Sequence, residues 1–364
     1  MSSVVDLYCG AGGFSLGAWL AGFEVLAGID NDPDVTSKFE NNFPNSKLCL
    51  ADLDTDEIQV NLNRVANRHI VGVVGGPPCQ GISLIGRRDI TDERNRLVVR
   101  FFQHIAKIRP NFFVMENVPA LGSDAYSGLL EEALGQVPSS YSVLKPMLLD
   151  AGKFGAATRR KRFVIVGYDP SRVDRVTEAQ FEPPSLTTLV TVQDAIADVP
   201  RPQSVYENVA LPYREIESIS LYAKQMRACP AAELGSALSR EYCLTGRVTG
   251  NSGTRHSAEV QRRFAHTVPG AIDPISRYVR LQWDRPAPVL RAGTGRDRGS
   301  YQAARPIHPA EPRVITVREA ARIQGFPDWF QFSETKWHSH RMIGNSISPL
   351  FGAALLSVFR SRTE

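Results

Sequence analysis

Four side chains in the first half of the sequence are of types that do chemistry, and each falls where a fold could use it. Cys79 lies in Val71 to Ser83, VGVVGGPPCQGIS, just after an apolar run stops at Gly75-Gly76-Pro77-Pro78. A thiol that emerges from such a turn can act as a nucleophile. Glu116 follows a second apolar run, Asn111 to Met115, and precedes Asn117-Val118-Pro119. In an enclosed pocket a carboxyl can hold its proton and serve as acid or hydrogen-bond donor. Arg160 and Arg162 sit two apart in Thr158-Arg159-Arg160-Lys161-Arg162, so on a strand they share one face. Taken singly, each has a plainer reading: a buried thiol in a tight turn, a glutamate capping a turn, a basic edge strand that discourages aggregation. Thiol and carboxyl delivered together to one edge are harder to explain that way.

The elements that must position them read as a parallel sheet. A short, wholly apolar run is what a strand buried on both faces looks like. Gly-Gly-Pro-Pro can neither continue a ladder nor enter a helix interior. In α/β sheets ligands bind outside the carboxyl ends of the strands. Upstream, Ser3 to Tyr8 reads as a strand, Cys9-Gly10-Ala11-Gly12-Gly13 as a glycine turn and Phe14 to Ala21 as a helix. Such a unit offers close backbone approach and the free N–H groups of a helix start. The strand Glu24 to Ile29 ends at Asp30, 20 residues after Gly10, which suits a ribose hydroxyl. Lys47 to Leu50 ends near Asp52. Ordinary turn glycines with capping aspartates are the plainer alternative. The expected fold is a doubly wound α/β sheet binding an adenosine-containing ligand. Residues 85–96 (IGRRDITDERNR) read as a basic loop, Leu97 to Ile108 as a helix, and 141–149 with 162–168 as a hairpin.

The second half is punctuated by proline and serine. Helices are expected at Val192 to Ala197, Glu215 to Arg227 and His256 to His266, turns over Tyr242 to Gly253, and a strand at Arg280 to Leu290. Thr316 with Glu319 forms a capping box for a helix to Gln324, expected to support the second half, and Ser348 to Phe359 is a closing helix. Net charge is +4, but residues 240–313 carry thirteen Arg, no Lys and six acids, a net of +7 that leaves the remainder at −3. Arginine at that density suits phosphate and guanine contacts, or a solvated basic face.

Hydrophobic content of 43% and charged content of 22% are ordinary for a globular protein. No apolar run approaches the roughly 18 residues of a membrane span, and MSSVVDLYCGAGG lacks a signal-type start, so a cytoplasmic protein without membrane partners is expected. Five scattered cysteines (9, 49, 79, 229, 243) with no C-x-x-C argue against a disulfide framework and a metal centre.

The chain resembles the DNA (cytosine-5) methyltransferases. The matches run in order: DLYCGAGGFSLG (6–17), Asp30, Asp52, GGPPCQGIS (75–83), MENVP (115–119), RRKRF (159–163), ITVREAARIQGFPD (315–328) and GNSISP (344–349). Three positions depart from the family pattern: Thr158 for the frequent Gln, Val289-Leu290 for a Thr-Leu pair, and Asp30 for the commoner Glu. The first two bear on DNA contact; the third shortens the ribose ligand and keeps its charge.

The resemblance implies a Rossmann-like catalytic region at 1–174, a smaller irregular target-recognition region with hinge at 175–328, and a return to the catalytic region at 329–364. It implies S-adenosylmethionine held by Tyr8, Gly10, Ala11, Gly12, Gly13, Phe14, Asp30, Asp52, Leu53, Pro78, Leu97, Asn345 and Ser346. Cys79 would be the nucleophile, Glu116 would stabilise the ring, Arg162 would hold the base carbonyl and Arg160 would support the catalytic loop. Gln80, Ser83, Arg87, Arg88, Arg291, Arg296 and Arg298 would meet double-stranded DNA. The expected enzyme is a stand-alone monomer beside a restriction or phage-defence system. Three rivals stand: an RNA (tRNA) cytosine-5 methyltransferase, a catalytically silent DNA-binding regulator, and a nicotinamide oxidoreductase. The arginine-rich second half argues against the first, the intact catalytic set against the second, and the Pro-Cys-Gln loop against the third.

Overall fold

Strand β1 (Ser3–Leu7) is buried at every residue and has a parallel neighbour on each side, β2 (Glu24–Asp30) and β4 (Ile70–Gly75). The computed structural model describes residues 2–55, 70–78, 95–184, 188–293 and 305–362. With β3 (Lys47–Leu50), β5 (Phe112–Asn117), β6 (Ser142–Val143), β7 (Met147–Asp150) and β8 (Lys161–Tyr168), the sheet runs β3-β2-β1-β4-β5-β8. Both β6 and β7 pair with the far edge of β8. The first five strands are parallel and β8 is antiparallel to β5. The chain winds outward from β1 through β2 and β3, then crosses back to β4. The crevice at that reversal is where a doubly wound sheet binds ligands.

Register brings the expected site residues to one rim. Leu7 lies opposite both Ile29 and Gly75, Gly75 opposite Met115, and Asp30 opposite Leu50. The next residues along each strand, Tyr8, Asp30, Ala51, Gly76 and Glu116, therefore exit at the same edge.

Helices cover both faces. On one, Gly13–Leu20 lies against the closing helix Pro349–Arg360. A Cβ at Gly17 would come within 2.9 Å of that helix's backbone, so this approach requires glycine. Phe359 stacks on Phe112 of β5 at 4.1 Å. On the other face Arg96–Ile108 buries Phe101 and Phe102 against Phe113. A third hydrophobic cluster joins Phe39 and Phe43 of the first half to Ile315, Ala320, Phe326 and Phe330 of the second, so the two halves share a core. Lys336–Arg360 is long and apolar enough by composition to cross a membrane, but it is interrupted at Ser346 and mostly buried here, as core helices are.

Several expectations need correction. Residues 141–149 form two short strands rather than one. The helix expected from Glu215 starts only at Leu221, because Ser220 takes the N-cap and accepts from the Ala223 N–H. A helix not foreseen, Ala237–Leu244, begins at the Ser236 cap and runs into the start of the stretch expected as turns from Tyr242. Arg280 to Leu290 is not a strand: Pro286 and Pro288 remove alternate donors, and only isolated bridges form at Arg280 and Ala287. Cys229 and Cys243 form a disulfide, their Cα atoms 5.5 Å apart, because the unforeseen helix turns Cys243 toward Cys229.

Candidate active site

At the β1 exit, Tyr8 adopts φ 60, a left-handed conformation that costs a non-glycine residue about 1–3 kcal/mol. Its hydroxyl donates to the Leu97 carbonyl at 3.2 Å, tying the turn to the start of the Arg96–Ile108 helix. Asp30 is fixed by two backbone amides: Gly10 N–H donates to Oδ2 at 2.9 Å and Asp32 N–H to Oδ1 at 3.0 Å. Burial raises the Asp30 carboxyl above its usual value, against those hydrogen bonds. Each carboxylate oxygen keeps a second lone pair that a hydroxyl can use.

The glycines of the turn divide by role. A Cβ on Gly10 would meet nothing within 4 Å, so the turn is open there to a ligand. On Gly12 it would stand 2.5 Å from the Phe43 ring, and on Gly13 it would overlap the Ile347 carbonyl. Those two glycines serve internal packing, and Gly13 lets the Ser346–Ile347 segment approach the turn. Ala11 and Phe14 are core residues, so only their backbone can face a ligand. Asp52 is exposed and caps its own turn, accepting from Asp54 N–H at 2.9 Å. The Leu53 carbonyl accepts from His104 Nε2 at 2.9 Å. Asp54, not singled out in the sequence, is ion-paired to Arg96 and Arg100 and holds this turn against the helix; those guanidiniums keep its carboxyl below the usual range. Ser346 is buried, its carbonyl accepting from Gln324 Nε2 at 2.7 Å, while Asn345 is exposed. Open space over Gly10, a spare acceptor set on Asp30 and the exposed Asp52 fit an adenosine-bearing donor.

Glu116 and Arg162 are 9% and 8% exposed and ion-paired, Arg162 Nε donating to Glu116 Oε1. Glu116 Oε2 faces Gly76, where a Cβ would stand 3.1 Å away, so glycine makes room for the carboxylate. Asn117 Nδ2 donates to the Pro77 carbonyl at 3.2 Å, fastening the Gly-Gly-Pro-Pro turn to the end of β5. Pro78 is half-buried beside them. Cys79, Gln80, Ser83, Arg87, Arg88, Arg296 and Arg298 lie outside the described residues.

Arg160 bridges two segments of the second half. It is 3% exposed, and its fork donates to Leu290 O at 3.0 Å and Gly344 O at 2.8 Å, while its Nε has no partner among the described residues. Its described contacts join the second half to the cofactor side; the loop it is expected to support lies outside the described residues.

The arginine-rich stretch is only partly a surface. Arg240 donates to four backbone carbonyls, Arg280 caps the end of helix Ala258–His266, Arg263 pairs with Asp273 and Arg313 with Glu319. Arg247, Arg255, Arg262, Arg277, Arg285 and Arg291 remain exposed.

The family profile of C-5 cytosine-specific DNA methylases matches residues 2–359. The type II methyltransferase M.XorII of Xanthomonas oryzae pv. oryzae is 36% identical over 99% of this chain and 86% of its own. The type II methyltransferase M1.HphI of Haemophilus parahaemolyticus is 30% identical over 96% and 84%. Among solved structures, a prophage-encoded DNA modification methyltransferase from E. coli superposes with a TM-score of 0.85 at 34% identity, covering 98% of both chains. The S. pombe Dnmt2 methyltransferase, at 15% identity and a TM-score of 0.61, shares the fold.

Proposed function

The chain belongs to the C-5 cytosine-specific DNA methylases, and from that premise we infer the substrates and the residue roles. It is a DNA cytosine-5 methyltransferase of the restriction-modification type. The substrate is a cytosine in double-stranded DNA, and the methyl donor is S-adenosylmethionine. The role is protection of host DNA beside a restriction nuclease or another phage-defence system.

Cytosine C5 is too weak a nucleophile to attack a methyl sulfonium unaided. The Cys79 thiolate adds to C6, and the ring becomes an enamine with nucleophilic C5. Charge that develops at N3 is met by Glu116, and Arg162 holds both Glu116 and the base carbonyl. C5 takes the methyl group, a base removes the C5 proton, and the electron pair that returns to the ring expels Cys79. Asp30 would bind the donor's ribose, Asp52 and Leu53 its adenine, with Tyr8, Gly10, Pro78, Leu97, Asn345 and Ser346 around it. Bound there, the donor supplies an electrophilic methyl group. The target base must leave the duplex stack, at a cost of a few kcal/mol. Arg291, on the recognition side, would contact DNA.

The observation that carries this reading is the buried Glu116–Arg162 pair, with Glu116 Oε2 against Gly76 at the mouth of the turn that leads to Cys79. Parallel assays of labelled methyl transfer to duplex DNA and to tRNA test it. Label in DNA is expected. Label confined to tRNA would overturn it in favour of the RNA enzyme.

A further inference from the structure

Beside the core the two halves share, the second half docks on the sheet edge through a seam at Ala157–Arg160. Ala287 N–H donates to Ala157 O at 2.8 Å, and Arg159 N–H returns a bond of 2.8 Å to Ala287 O, a single parallel bridge around Thr158. Pro286 and Pro288 flank Ala287 and have no N–H, so this segment cannot extend a backbone ladder. Side chains replace it. Thr158, fully buried, donates Oγ1–H to the Pro288 carbonyl at 3.1 Å. Arg160, two residues on, donates to the Leu290 carbonyl. On the opposite side, a Cβ at Gly344 would stand 2.5 Å from the Ala292 nitrogen, so the segment is wedged between two walls. Leu290 points inward at 5% exposure and Arg291 is exposed.

We propose that Thr158 is a positioning residue for sequence recognition: with the Arg160 fork it sets the register of Ala287–Ala292 on the sheet edge, and so fixes where Arg291 stands relative to the Arg162–Glu116 pair. This rests on the DNA reading above. Arg160 immediately precedes β8, whose second residue is Arg162, so a recognition segment held by Thr158 and Arg160 is referred directly to the element that carries Arg162. A functional arginine must be held within about 0.5 Å of its productive geometry. A latch that slips would therefore blur base discrimination before it disturbed the chemistry. Arg160 also touches Gly344 beside the donor pocket, whereas among the described residues the Thr158 hydroxyl has the one acceptor at Pro288, which makes it the clean probe.

The test compares wild type, Thr158→Val and Thr158→Ser on the cognate duplex, first identified by bisulfite sequencing, and on duplexes with one base pair changed. Valine keeps the shape and deletes the donor; serine keeps the donor. For Thr158→Val the cognate to near-cognate ratio of kcat/KM is expected to fall about tenfold, with kcat at saturating cognate DNA within about twofold and the donor KM unchanged. Thr158→Ser is expected to restore the ratio. Wild-type discrimination in Thr158→Val overturns the inference. So does a loss that Thr158→Ser shares and that follows a fall in Tm, since the hydroxyl would then serve only the fold. Wild-type protein that labels no DNA overturns the functional reading and this inference together; labelling with unaltered discrimination in Thr158→Val overturns this inference alone.

Discussion

The Arg162 guanidinium and the Glu116 carboxylate meet between two antiparallel strands, β8 and β5, at the rim of the sheet. Neither strand alone makes the pocket. The crossing from β4 to β5 sets Glu116 beside Gly76, and the return of β8 brings Arg162 in from the other side.

Glu116→Gln keeps the side chain's shape but cannot share a proton with the cytosine ring. Turnover is expected to fall by about 10²–10⁴, the usual span for a lost acid or base, with DNA affinity within a few-fold of wild type. Single-turnover methylation alongside a gel-shift titration separates the two. Glu116→Leu should in addition leave Arg162 buried without a counter-charge, at about 3–5 kcal/mol of stability in a urea titration.

Gly344 is needed for contact between two backbones. Gly344→Ala would press a methyl onto the Ala292 nitrogen, whose position is already fixed by the Arg160 seam. Overpacking of this kind costs about 1–3 kcal/mol, and donor binding is expected to weaken with it. Gly128→Ala is the control: a Cβ there meets nothing within 4 Å, in the helix Ser127–Leu134, so a gain of about 0.4–1 kcal/mol is expected. Paired thermal melts and donor titrations check both.

Arg322 uses all five of its N–H donors inside the protein, two on Asp198, two on Asp328 and one on the Ala195 carbonyl. All three charged residues are buried. Arg322→Met should remove the counter-charge the two carboxylates share, leaving Asp198 to Arg227 and Asp328 to the Tyr213 hydroxyl and Arg318, and destabilise by about 3 kcal/mol. Arg322→Lys should recover little, because a point charge cannot satisfy two carboxylates bidentately. Denaturant midpoints of the two variants decide this.

Acid stability should carry the signature of Glu319. Burial alone would raise its carboxyl, but the Arg313 fork and His308 outweigh burial and bring it from 4.5 to about 2. A folded value below the unfolded one means stability present above about pH 4.5 and lost as pH falls toward 2. Glu319→Gln should flatten the stability curve in that window by about one proton's worth of slope. Chemical denaturation from pH 6 down to pH 2.5 measures it.

Much of the sheet is legible in the sequence for a physical reason. Wholly apolar runs that stop at Gly-Gly-Pro-Pro, at Asp30 or at Glu116-Asn117 mark buried parallel strands and their loaded ends. The capping box at Thr316 and Glu319 is equally local, and both of its bonds form. The second half is harder because its order comes from distant partners. The thirteen arginines give one charge count, which cannot separate Arg240 and Arg280, spent on backbone carbonyls, from the exposed Arg291. Pro286 and Pro288 hide the docking of Ala287 behind a broken strand pattern. Asp54 looks like any turn aspartate until the Arg96–Ile108 helix brings Arg96 and Arg100 to it. The Cys229–Cys243 pair becomes visible only once the helix from Ala237 turns one thiol toward the other.

The most direct measurement is bisulfite sequencing of DNA from cells that express either the wild-type chain or Cys79→Ser. One short sequence is expected in which the same cytosine is protected throughout the genome with wild type, and no protection with Cys79→Ser, although that variant still binds DNA. Undiminished protection in the Cys79→Ser cells would contradict the account.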